Sequence, residues 1–152
     1  VANRLSTLIS AVVAGLETLV DAGTLASVRR GVLNPLTEPT GGLPVAAVMV
    51  DDPRAEAGPP GGEAWQAVLY VAVACRSVAA TPKDQTLLDL VAEVDAALAA
   101  VRTGGSAGGL VGSCRWETWP FGLADRADSV APETLAAVGR VEVKVDGGLK
   151  TD

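Results

Sequence analysis

The sequence predicts an α+β domain: a mainly antiparallel or mixed β-sheet with two helices packed on one face, in the order α-β-β-β-α-β-β. Three observations predict it. Two segments repeat apolar residues at three- and four-residue steps, five runs are continuously apolar or alternate with period two, and Pro- and Gly-rich breaks separate them. Each helix carries a single wide apolar stripe, which needs another layer to cover it. With 152 residues, 49% of them hydrophobic, one domain spanning 1–152 can bury a core without disulfides or metals.

The first helix is expected from about Ala2 to Ala22. Leu5, Leu8, Ile9, Val12, Val13, Leu16, Leu19 and Val20 fall on one stripe, and Gly23 is a natural stop. Its opposite face, with Asn3, Ser6, Thr7, Ser10, Ala14 and Thr18, is small and nearly uncharged. Leu25 to Leu33 reads as a short irregular strand carrying Arg29 and Arg30, followed by a loop through Pro35, Pro39, Gly41 and Gly42. Leu43 to Val50 is almost entirely apolar, which predicts a central strand buried on both faces.

Asp51 to Glu63 contains Pro53, Gly58, Pro59, Pro60, Gly61 and Gly62 and is expected to be a long irregular loop. Trp65 to Ser77 alternates as a strand whose two series both become apolar. Thr81-Pro82-Lys83-Asp84 is a helix start, with a capping hydroxyl, proline at the first helical position and an acid three residues after the cap. Leu87, Leu90, Val91, Val94, Leu98 and Val101 form the inward stripe of that helix, and Gly104 ends it. Leu110 to Trp119 and Thr134 to Asp146 are the last two strands; Val141, Val143 and Val145 alternate with Arg140, Glu142 and Lys144, as a half-solvated strand requires. Val48, Leu69, Val71, Leu90, Val94 and Val143 are the expected core.

The chemistry-bearing residue types are sparse. The chain has no histidine and two widely separated cysteines, and its glycine-rich stretch at 104–109 has no Lys-Ser or Lys-Thr pair behind it, so it reads as a connector and not a phosphate cradle. Cys75 and Cys114 lie in strand-like runs and are expected to be free buried thiols. Asp89 and Glu93 sit one turn apart but lack the dense oxygen set of a cation site. Asp51 and Asp52 are adjacent at a strand end, where side chains point apart, which is poor geometry for paired acid-base work. Arg29 and Arg30 fit the charged edge of a sheet. No catalytic residue, metal ligand or cofactor site is therefore expected.

A net charge of −6 argues against a protein that grips nucleic-acid phosphates. No run of about 18 uninterrupted apolar residues predicts a membrane span, and the opening residues lack the plan of a signal peptide, so a soluble protein made in a cytoplasm is expected. Small residues also dominate the outer face of the second helix, at Ala92, Ala96, Ala99 and Ala100, bordered by Asp89 and Glu93. Small faces let another backbone approach closely, although a genome biased toward alanine codons produces the same pattern. Together with Asp51, Asp52, Arg54, Glu56 and Glu63 of the long loop, the residues Ala92, Ala96 and Ala100 are the candidate interface.

The element order, the Leu43-Pro44 opening of an apolar strand, the Trp65-to-Val73 strand running into the Asp84-to-Val101 helix, and the final Val141-Glu142-Val143-Lys144-Val145 strand are similar to those of a known family. Across nearly the whole chain they resemble the tail terminator, or tail completion, proteins of long-tailed bacteriophages and phage-derived particles. The resemblance implies a non-enzymatic structural protein of the virion's tail-neck region, assembled in the host cytoplasm. Such a protein forms a ring, commonly a hexamer, that caps the tail-tube protein and presents a surface to the head-tail connector. DNA passes through the channel without specific binding, which suits an acidic lining. Another phage neck or tail-tube protein, a small-ligand-binding α+β module and, more remotely, a carboxylate enzyme are the alternatives.

Overall fold

A computed structural model describes residues 2–31, 33, 42–57, 63–76, 83–103, 108–119, 134–146 and 150–151. In chain order they form β1 (Ala2–Asn3), α1 (Arg4–Asp21), β2 (Ser27–Arg30), β3 (Val45–Ala57), β4 (Glu63–Arg76), α2 (Lys83–Thr103), β5 (Gly108–Trp119), β6 (Thr134–Asp146) and β7 (Lys150–Thr151). The main sheet has five strands in the order β2-β3-β4-β6-β5. Only β2 joins its neighbour in parallel; the other ladders are antiparallel, so the sheet is mixed. The two-residue strands β1 and β7 pair separately, too short to leave a period in the sequence.

Helix α1 begins two residues later than the apolar stripe predicts, because Asn3 is extended and acts as its cap. The Asn3 side chain accepts a hydrogen bond from the Ser6 backbone N–H at 3.1 Å. At the other end Gly23 takes a positive φ of 81°, the Gly23 N–H donates to the Val20 carbonyl, and the Thr24 N–H donates to the Leu19 carbonyl. These paired bonds satisfy carbonyls that the last turn would leave open. The buried stripe of α1 is Leu5, Ile9, Val12, Leu16 and Leu19. Gly15 faces α2, where an added Cβ would lie 2.7 Å from Val101 Cγ2. A side chain there would push the two helices apart.

One face of the sheet meets both helices. Ala46 and Val48 of β3, Leu69, Val71 and Val73 of β4, and Val141, Val143 and Val145 of β6 join Leu87, Leu90, Val94 and Leu98 of α2 and the α1 stripe in one core. All six residues expected in the core are buried. The other face is covered only in part. Leu33 and Leu43 pack there on Val45, Ala74 and Ala136. This explains why Val45–Val48 are buried in succession, as the apolar run predicts, although β3 stands second from the edge and β4 holds the centre.

The expected loop from Asp51 to Glu63 is largely a correction. Strand β3 runs on through Asp51, Asp52, Pro53, Arg54 and Glu56 to Ala57, and pairs with β4 from Glu63 onward. A bulge between Asp51 and Arg54, with Asp52 at φ 57°, absorbs the residues that disfavour a regular ladder. Pro53 is tolerated because β2 pairs β3 only as far as Val48, leaving the outer edge beyond it without a strand among the described residues. The short strand expected over Leu25 to Leu33 is confined to Ser27–Arg30. The Thr81-Pro82 start, the Gly104 stop and most of the loop expected after Leu33 lie outside the described residues.

Leu90 is 5% exposed and sits between α2 and the sheet. Leu90→Ala should destabilise the domain by about 2–5 kcal/mol, measured by urea unfolding, because the rigid sheet beneath it cannot collapse into the cavity.

Candidate functional site

The residues proposed from sequence for contacts fall on two separate surfaces. Ala92, Ala96 and Ala100 are exposed on the side of α2 turned away from the core, with Asp89 and Glu93 exposed beside them. Asp51, Asp52 and Arg54 are exposed on the distal part of the β3–β4 hairpin, where Asp52 and Arg54 form an ion pair of 2.7 Å. At 51% and 72% side-chain exposure this pair adds little stability. Asp51 turns to its neighbour instead, its Oδ1 accepting the Asp52 backbone N–H at 2.8 Å. Glu56 and Glu63 stand near the far end of the hairpin, opposite Ala64 and Ala57. β3, with 13 residues, spans about 43 Å, and its distal part carries the charge.

The outer face of α1 is polar in composition but not in what it offers. Thr7 Oγ1 donates to the Asn3 carbonyl, Ser10 Oγ to the Ser6 carbonyl and Thr18 Oγ1 to the Gly15 carbonyl, at 3.1, 3.0 and 2.6 Å. With their protons turned back onto the helix, these side chains present small, self-satisfied surfaces. Edge strand β2 carries the two arginines as expected, and Arg30 reaches Ser6 Oγ at 3.4 Å.

Sequence reasoning missed a third surface. On the sheet face away from the helices, a groove of about 590 Å³ is lined by Val68 and Tyr70 of β4, Val111 and Arg115 of β5, and Arg140 and Glu142 of β6, among others. Tyr70 is paired with Arg140, and Arg140 with Arg115, so the three form one row across three strands. The alternation in β6 signals that Arg140 faces out. The arginine across from it depends on a register shift between Val111 and Arg115, which composition does not reveal.

Behind that groove, β5 is fastened to α2. Trp116 Nε1 donates to Asp95 Oδ1 at 3.0 Å, and Arg102 Nη1 donates to the Gly112 carbonyl at 2.6 Å. Gly139 lies opposite Trp116, and a Cβ there would come within 2.5 Å of Cys114 Sγ and 3.0 Å of the indole. The indole and the thiol thus occupy the space that glycine leaves. Both cysteines are free, Cys75 buried and Cys114 half-buried. Burial, with a smaller contribution from the Asp95 charge, pushes the Cys114 thiol from 9.0 up to about 11. A thiol so raised is a poor nucleophile near neutral pH.

Among the described residues no group of three or more Cys, Asp or Glu side chains is placed to hold a metal ion, and no helix is long and apolar enough to cross a membrane. The chain matches no protein-family model and no curated protein.

The Cys114 shift has a definite sign. Its folded-state value lies above the unfolded one, so its contribution to stability is complete below about pH 9 and is lost as pH rises toward about 11. Wild-type stability, measured by denaturant midpoints, should fall across that window more steeply than that of Cys114→Ala.

Proposed function

We propose that this chain is a tail-terminator protein: a homo-oligomeric ring, commonly a hexamer, that caps the end of a phage tail tube and joins it to the head connector. The observation that supports this reading best is the layout of the fold. Seven principal elements follow the order α-β-β-β-α-β-β, with both helices on one side of a mixed sheet and charged residues exposed on the distal part of the β3–β4 hairpin. A domain built this way offers distinct surfaces in different directions, as a subunit must that meets its own copies, a tube below and a connector above.

The mechanism needs no turnover and no cofactor. A tube grows by adding rings to its own end, and growth stops when the last ring presents a surface unlike the one that recruited it. Within the ring, each copy uses one surface to hold the next and another to be held, an association that rotational symmetry closes. Contacts that hold two free copies only weakly suffice on a symmetric template, where several act together at high effective concentration. The net charge of −6 keeps the channel from retaining the passing DNA.

Two outcomes check this. In a particle-producing host that lacks the gene for this chain, electron microscopy should show tails of uncontrolled length, unjoined to heads; infectious particles with tails of normal length would refute the proposal. Deleting Ala55 to Gly61 should leave the cooperative unfolding transition in place while abolishing tail-to-head joining, because none of the described core residues lies in that segment.

A further inference from the structure

The row formed by Arg115 and Arg140 is unusual for a solvated sheet face. The two stand directly opposite each other on neighbouring strands, where Cβ atoms lie about 5 Å apart and like charges repel. Neither guanidinium has an ion-pair partner within 4.0 Å among the described residues, and Glu142, in the same groove, pairs with neither. What this arrangement lacks is a pair of carboxylates at matching spacing. The chain carries one on the opposite side of the molecule: Asp89 and Glu93 are exposed one turn apart on α2, a Cβ separation of about 5–6 Å.

Apolar exposure points to the same two surfaces. Among the described residues the exposed large hydrophobic side chains are Leu88, at 53%, and Val111, at 49%. Leu88 adjoins Asp89 on α2, and Val111 lines the arginine groove. Ala92 and Ala96 continue the helix face beyond Leu88, so nothing bulky keeps that helix from settling onto a sheet.

We infer that the Leu88–Asp89–Ala92–Glu93 face of α2 in one copy of this chain docks into the Arg115–Arg140 groove of the next copy. Asp89 and Glu93 pair with the two guanidinium groups, and Leu88 covers Val111. The two surfaces lie on opposite sides of the sheet, so no copy can satisfy its own groove. The contact is head-to-tail, and each docked copy leaves its own groove open for another. This inference deepens the proposed ring by naming the faces that hold it together, and it rests on that reading.

Sedimentation velocity of the full chain at low ionic strength, over a concentration series, tests it. The wild type should self-associate, and added salt should weaken the association. Arg115→Glu with Arg140→Glu, and separately Asp89→Lys with Glu93→Lys, should each lower the association constant by about tenfold or more. Mixed in equal amounts, the two double variants should associate again, since each reversed face then meets a complementary one. All four positions are exposed, and circular dichroism melts verify that the variants fold. Variants that associate like wild type, a mixture no stronger than its separate components, or a wild type monomeric up to millimolar concentration would overturn the inference. Tail length in the gene-deleted host judges termination itself, so the two can fail independently.

Discussion

Strand β4 is paired along almost its whole length on both sides, with β3 and with β6, and the placement of everything else follows from it. Ala67, Leu69, Val71, Val73 and Cys75 turn toward the helices, whereas Val68 and Tyr70 line the groove on the other face. A slip of one residue in either ladder would exchange these two sets, placing apolar side chains in the groove and a tyrosine under α2. Register is held where the two faces differ, from Ala67 to Val71, whereas at Val73, Ala74 and Cys75 the strand is dry on both sides. Above that point one face is free to carry polar groups without cost to the core.

The two layers make different use of a sequence poor in aromatic residues. The helix side is closed by many small contacts of Val, Leu and Ala, and Gly15 lets the helices come close enough for such short side chains to fill the space. Trp116 is the exception: its ring lies over Gly139 and its N–H is satisfied by Asp95, so one large residue ties β6, β5 and α2 together. The far side of the sheet interleaves charged and apolar residues, Glu142 standing between Val68 and Val111, a composition that suits contact with another folded surface.

Most of the fold was legible because period and punctuation act locally. The stripe from Leu5 to Leu19, the alternation from Val141 to Val145 and the apolar run at Val45–Val48 each report their own burial, and all three are placed as the sequence predicts. The Asp51-to-Glu63 segment misled because prolines and glycines count equally as breakers wherever they fall. A bulge can absorb Asp52 and Pro53 at a sheet edge while pairing resumes at Arg54. Of the contact residues, the alanines of α2 were readable from a helical wheel. The Arg115–Arg140 pair was not, since cross-strand neighbours come from residues 25 positions apart that meet only through long-range register.

The bulge at Asp52 also sets a parity rule for the hairpin. Before it, Asp51 stands opposite Val68; after it, Arg54 stands opposite Gln66 and Ala55 opposite Trp65, so one additional residue has shifted the phase of the strand. Lengthening or shortening β3 between the bulge and the tip by two residues keeps each remaining side chain on its side of the sheet. A change of one turns them over, as does loss of Asp52 alone. Any drift in the length of this hairpin among divergent copies of such a chain is thereby biased toward even steps, unless a second irregularity arises with it to restore the phase.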